Sequence, residues 1–568
     1  MASGFDEAVQ SVLSLIEGAN LPHPLDQLLC AFLTEALNPR LAASFVEQNC
    51  RPGEDQQVDL LSLATDWKAI VECVSCHGSN PPAPDTTTAA SIAKRDGGRC
   101  CITGKAGSRK DPLIVAPILP IPSGWIKDDP RILHMLGAFF TPAYRDWWLG
   151  YIRAPDQMSA YHSHWLVRKS AADAFARGTI KLIRLPPSMI EYQATPVFIG
   201  LEEGPIDLEG SFPLLGDHSR SRTPTVDARF VGTHARLSHS IRWLAVARRI
   251  ASNKEDHKPP SAVGVLARVR ANQQHGFSPW HLLQNACLAA WATVPDRARV
   301  AVYELLRRIG SRLYGATNNY STVQRLPFGL FLKYQGDPGG FRNEFNALQM
   351  ARRYTSIPVP RPLDVAVVRT SSNDTACSHD AYLLTTQVPG RQVVECHQLF
   401  SDQDISSFVR QMQDYVTQLR SIPKTVGPQF AICDTTGGAC RDPRIHDANP
   451  VGPFVDEEAF NQLLRNPDDP SRRNHTFVLT HADLNFRNIL VDEAVQADGT
   501  TGWTVTGIVD WETAGYYPEY WEYTKSLFES FRYSYRLRET IHNIFRVFGD
   551  YSKEVEVEKR SWEEGDYI

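Results

Sequence analysis

Asp483, Asn488 and Asp510 are the residues of this chain whose types and spacing best suit chemistry. The first two lie in His481-Ala-Asp-Leu-Asn-Phe-Arg-Asn-Ile-Leu490, and the third lies in Thr506-Gly-Ile-Val-Asp-Trp-Glu512. A carboxylate can accept the proton of a hydroxyl, and an amide oxygen with a second carboxylate supplies the hard oxygen ligands that Mg²⁺ prefers. One Asp and one Asn alone would read as turn caps. The second carboxylate, the apolar run between them and an upstream lysine point instead to phosphoryl transfer. That lysine, Lys333, closes the apolar run Arg325-Leu-Pro-Phe-Gly-Leu-Phe-Leu-Lys333, and Glu344 follows eleven residues later. A strand lysine paired with a helix glutamate is a known way to hold nucleotide phosphates.

These residues need particular elements to bring them together. Asn488–Asp492 reads as a strand, Gln496–Thr500 as a turn and Trp503–Val509 as a returning strand, a hairpin that carries Asp510 back beside Asn488. Phe341, Phe345, Leu348 and Ala351 recur at helical spacing, so Glu344 is expected on an amphipathic helix.

From about Arg307 onward the chain resembles the aminoglycoside phosphotransferase and choline kinase-like family, and more closely the fungal proteins with this C-terminal pattern. The resemblance rests on RLPFGLFLK, YTSIPVPRPLDV, YLLTTQVPG, DPRI, VGPF, HADLNFRN and IVDWETAGYYPEYWEY. It implies an α+β, two-lobed protein kinase-like fold and ATP and Mg²⁺ as cofactors. It further implies Lys333 on the nucleotide phosphates, Glu344 orienting Lys333, Asp483 as catalytic base, and Asn488 and Asp510 on the metal. His481 would hold backbone. The hinge for the adenine would run from Tyr382 to Val388, including Thr385, and Gly315 would belong to the nucleotide-covering loop. The chain departs from the family in three places: that loop lacks G-x-G-x-x-G, the 45 residues beyond Tyr523 leave little room for the helical substrate-binding insert of larger members, and Ala482 stands where glycine is common. Backbone outside the left-handed region would tolerate the extra methyl.

Only seven residues separate Asp510 from Pro518, too few for the long activation segment of protein kinases, so the acceptor is expected to be a small molecule. The segment Trp511 to Tyr523 interleaves aromatic rings with Glu512, Glu519 and Glu522, which suits a cationic hydroxyl compound. The same rings would equally suit the packed start of a helix.

The 568 residues, 42% of them hydrophobic, carry a net charge of -5. That balance gives no global footprint for nucleic acid, and no apolar run is long enough to span a bilayer. The N-terminal residues lack the order of a secretory signal, and the 11 scattered cysteines suit reduced thiols. The expected location is cytoplasmic.

Residues 1–77 carry helical periodicity through Val9, Val12, Ile16, Leu28, Leu29 and Phe32, and read as a helical region. Cys73-Val-Ser-Cys-His77 has the form of a haem or zinc motif but lacks a second ligand pair, so a helix end is the better reading. Within 88–250, Arg95–Gly104 and Ser163–Leu182 resemble the opening and closing of a fungal HNH nuclease domain. Its histidines are missing, Pro117 and Ala172 standing in their places, which implies a degenerate α+β domain kept for packing or for a protein partner. His162 and His164 are read as surface or hydrogen-bonded residues. A polar linker covers 251–270, and the kinase-like part covers 285–568.

Three readings follow: an active small-molecule phosphotransferase, which is favoured; a pseudokinase that binds nucleotide or a partner; and a nucleic-acid enzyme using 88–250 with the basic Arg220-Ser-Arg222. All five of Lys333, Glu344, Asp483, Asn488 and Asp510 are present, which supports the first.

Overall fold

The computed structural model describes residues 6–50, 56–121, 129–153, 159–200, 208, 213–255, 286, 288–315, 322–370, 378–445, 449–496, 499–528, 530–565 and 568. Residues 256–270 of the expected linker lie outside these residues, while 251–255 belong to the helix Ala228–Glu255. The chain forms two compact units, Met1–Asn253 and Lys254–Ile568. No helix among the described residues is long and apolar enough to cross a membrane.

The first unit opens with four helices, Glu7–Gly18, Leu25–Thr34, Pro39–Asn49 and Gln56–Ser75. Their apolar faces, including Val12, Ile16, Leu28, Phe32 and Trp67, bury into one core, as the periodicity of 1–77 predicts. The last helix ends at Ser75 with Cys73 buried and Cys76 exposed, so the two thiols face different surroundings. Further on, Leu113–Pro117 pairs antiparallel with His164–Arg168, and Ile180–Arg184 pairs with Tyr192–Pro196. His164 is buried, 3.0 Å from Ser163 Oγ, and His162 Nδ1 meets the Thr225 carbonyl at 3.0 Å. The long helix Ala228–Glu255 closes the unit.

In the second unit, the helix Asp296–Tyr314 precedes a four-stranded antiparallel sheet ordered Val323–Leu326, Leu330–Gly336, Ser378–Thr386, Pro362–Thr370. The expected amphipathic helix forms as Pro338–Tyr354. Its start is set by Asp337, whose carboxylate accepts the Gly340 N–H at 2.7 Å, and by Pro338 in the first turn. It buries Phe341, Leu348 and Ala351. Beyond the sheet the unit is mainly helical, with Asp402–Arg420, Trp521–Phe528, Tyr535–Phe545 and Ser552–Glu564.

Two antiparallel ladders cross this helical part. Ile489–Val495 and Thr501–Ile508 form the expected hairpin, and Phe477–Thr480 pairs with Gly515–Pro518. Ile489 stands opposite Ile508, and Thr480 opposite Gly515. Two loops, 481–488 and 509–514, are therefore pinned at both ends by paired strands and face each other.

Candidate active site

Lys333 lies on the strand Leu330–Gly336, opposite Val323 on one side and Leu383 on the other. Its Nζ is 2.7 Å from Glu344 Oε2 and 2.5 Å from Asp510 Oδ1. Residues far apart in sequence thus form one ion-paired cluster. Burial pulls the Lys333 pKa down, but Glu344, Asp510 and Glu512 outweigh it and the net shift is upward. Burial, reinforced by Asp510, pushes the Glu344 carboxyl up to about 7 against the pull of Lys333. Asp510 also resists burial: Lys333 holds its carboxyl below the usual range.

The helix bearing Glu344 is tied to the Asp510 loop by its neighbour, Asn343. Its Nδ2 donates to the carbonyls of Glu512 at 2.9 Å and Ala514 at 2.7 Å, while its Oδ1 accepts the Thr435 N–H at 2.9 Å. Nothing in the sequence pattern singled out this asparagine.

On the facing loop, Asn488 Nδ2 donates to both the carbonyl and Oδ2 of Asp483, each at 2.9 Å. Arg487 Nη2 reaches the same Oδ2 at 3.2 Å. The Val509 N–H donates to the Asn488 carbonyl at 2.9 Å, which brings Asn488 beside the start of the Asp510 loop. Burial raises the Asp483 pKa, with Lys525 and Arg487 opposing. His481 Nε2 meets the Val509 carbonyl at 3.0 Å, and burial lowers its pKa, so the ring binds backbone as a neutral imidazole.

The residues suit Mg²⁺. Since the Asn488 nitrogen is committed to Asp483, its amide oxygen is the atom left to ligate, and the Asp510 carboxylate is the second hard donor. Carboxylate oxygens of Glu344, Asp510 and Glu512 lie within 4.8 Å of one another.

Ala482 is buried with φ +58°, in the left-handed region. The condition under which its methyl would be unstrained is therefore not met. Glu522, which the sequence placed among ligand-facing acids, is buried and accepts the N–H groups of His481 at 2.6 Å, Ala482 at 3.1 Å and Leu484 at 3.1 Å. Trp511, Tyr516, Tyr517, Tyr520 and Trp521 are all buried. The ring faces are spent on packing, and a packed segment, strand at Gly515–Pro518 and helix only from Trp521, replaces the cation-binding reading.

Of the three residues expected at the nucleotide, Tyr382 turns into the core, while Thr385 and Gly315 stand at element ends. Tyr382 is buried within the sheet core, opposite Tyr334 and Ala366. Thr385 lies near the end of the same strand, opposite Phe331. Gly315 follows the helix Asp296–Tyr314 with φ +87°, and residues 316–321 lie outside those described.

The sequence model of the Phosphotransferase enzyme family matches residues 334–551, the span that holds Glu344, Asp483, Asn488 and Asp510 and begins one residue after Lys333. The match therefore falls on the mixed helix-and-strand part of the second unit that holds this cluster. A comparison with curated proteins finds no match. Among solved structures, the chain is similar to a thermostable aminoglycoside phosphotransferase in complex with ADP and hygromycin B, at 11% identity over 44% of this chain and 86% of that one, with a TM-score of 0.29. An aminoglycoside phosphotransferase in complex with GDP and kanamycin gives 14% identity over 43% and 78%, with a TM-score of 0.29. A macrolide 2'-phosphotransferase from Brachybacterium faecium gives 17% identity over 44% and 84%, with a TM-score of 0.24.

Proposed function

We propose that the second unit is an ATP- and Mg²⁺-dependent phosphotransferase that moves the γ-phosphoryl group to a hydroxyl of a small molecule. The observation that carries this reading is the Lys333 ammonium between Glu344 and Asp510, at 2.7 and 2.5 Å, on the side of a loop bearing Asp483 hydrogen-bonded to Asn488. The family match over 334–551 supports it.

In this reading Lys333 binds the nucleotide phosphates and Glu344 orients the ammonium. Asp483 takes the proton from the acceptor hydroxyl as its oxygen bonds to the γ-phosphorus and ADP leaves. Arg487 and Asn488 fix the Asp483 carboxylate for that transfer. Asn488 and Asp510 would hold Mg²⁺, which offsets charge on the phosphates when bound. The adenine would meet the strand end from Thr385 to Val388, since Tyr382 is committed to the core. Asp510 is followed almost at once by the paired strand Gly515–Pro518, which leaves no long segment to hold a protein substrate. A small acceptor follows, and the buried aromatic segment gives no reason to make it cationic.

The test is mass spectrometry of a metabolite extract incubated with Mg-ATP and either the wild-type chain or Asp483→Asn. A metabolite that gains one phosphate only with wild type establishes the activity and names the acceptor. Mg-ATP binding without any such product would replace this reading with that of a nucleotide-binding pseudokinase.

A further inference from the structure

The catalytic loop is carried by one face of a helix that follows it. In Trp521–Phe528, Glu522, Lys525 and Ser526 fall at i, i+3 and i+4 and so share a face. Glu522 binds three amides of the loop, and Ser526 Oγ donates to the Leu484 carbonyl at 3.0 Å. Those contacts fix backbone. Lys525 is the member of the face that reaches a side chain: it is buried, with Nζ 3.5 Å from Asp442 Oδ1 and 3.8 Å from Asp483 Oδ1.

We infer that Lys525 is a further positioning residue of Asp483, beside Arg487 and Asn488, an internal cation that steers the less engaged carboxylate oxygen, the one that takes the acceptor's proton. This rests on the phosphotransferase reading. Asp483 Oδ2 is occupied by Asn488 at 2.9 Å and Arg487 at 3.2 Å, whereas Oδ1 meets Arg487 only at 3.4 Å and has Lys525 at 3.8 Å. Oδ1 is thus the oxygen available to the substrate, and Lys525 stands on its side. The lysine is itself held from behind. Asp442 is clamped by Arg444, with Nη2 at 2.9 Å and Nε at 3.2 Å, and by Trp521 Nε1 at 3.0 Å. An anion fixed at three points gives the ammonium a rigid seat, and a buried ammonium is stable only when so compensated. The ion pairs of Lys525 run to Asp442 and Asp483, whereas Glu344 and Asp510 pair with Lys333, so the effect is assigned to proton transfer and not to nucleotide binding.

The experiment measures kcat and the KM for Mg-ATP, on the acceptor found with the metabolite extract, for wild type, Lys525→Met and Lys525→Gln. Circular dichroism checks the fold of each. The expected result is a fall in kcat of about ten- to a hundredfold, the scale of a catalytic group displaced by a fraction of an ångström to one ångström, with KM for Mg-ATP within about twofold. A folded variant that keeps the wild-type kcat overturns the inference, as does a loss that falls on KM. If Lys525→Met does not fold, Lys525→Gln carries the test; loss of fold in both would make Lys525 a core residue and overturn it as well. Absence of any phosphorylated product with wild type is a separate outcome, which removes the phosphotransferase reading itself and this inference with it.

Discussion

Lys333 and Glu344 meet at 2.7 Å in a place where the glutamate is almost wholly buried. The lysine stays charged, and burial pushes the Glu344 carboxyl up to about 7. A carboxyl whose folded pKa is raised binds its proton more tightly in the folded state. Its contribution is complete below the unfolded pKa near 4.5 and is lost as pH rises through 7. Urea unfolding of wild type and Glu344→Gln at pH 5 and pH 8 is expected to show wild type losing up to about 3 kcal/mol relative to the variant over that interval. Parallel stability curves would disprove the assignment.

Asp510 offers the carboxylate that, with the Asn488 amide oxygen, suits Mg²⁺. Asp510→Asn is expected to weaken magnesium-dependent nucleotide binding by at least about tenfold, read by calorimetry with and without Mg²⁺. Unchanged magnesium dependence would remove the proposed metal site.

His475 joins two parts of the helical region, with Nδ1 2.6 Å from Glu457 and Nε2 3.4 Å from Glu554. Burial lowers its pKa, but the two carboxylates outweigh that and raise it to about 9. A raised histidine pKa stabilises fully below about 6.5 and ceases to do so as pH rises through 9. His475→Gln should therefore cost about 2 kcal/mol at pH 6 and progressively less toward pH 10. Thermal melts across this range measure the gap, and a constant gap would exclude the ion-pair origin.

Arg444 is fully buried and meets both Asp442 and Glu558 at 2.9 Å. Burial opposes ionisation of Asp442, yet Arg444 and Lys525 hold its carboxyl down at about 2. Arg444→Met leaves two buried acids short of a partner and is expected to cost about 3–5 kcal/mol. Arg444→Met combined with Asp442→Leu should recover part of that loss in chemical denaturation, and a fully additive loss would contradict the pairing.

Local signals were the legible ones. The hairpin Ile489–Val495 with Thr501–Ile508 followed from apolar runs around a polar turn, and the helix Pro338–Tyr354 from its spacing. The helical character of residues 1–77 followed from the periodicity of residues that fall in the first two helices, Glu7–Gly18 and Leu25–Thr34. What sequence could not give was contact between distant segments. Glu522 looked like a ligand-facing acid because its partners, three backbone amides, carry no side-chain signature. Asn343 was invisible for the same reason, and Lys525 because its carboxylate partners, Asp442 and Asp483, lie 83 and 42 residues away in sequence. The rings from Trp511 to Trp521 were ambiguous because aromatic side chains suit a ligand face and a core equally well, and only their burial decides.

The loop that carries Asp483 also imposes an order on assembly. The Glu522 carboxylate lies 38 to 41 residues downstream of the amides it binds. While the chain is being synthesised, the residues of the loop emerge well before their acceptor does, and until then those N–H groups are left to water. A nascent chain that already contains every residue proposed for chemistry is therefore still without a formed site, and competence arrives only when the helix behind the loop has been made.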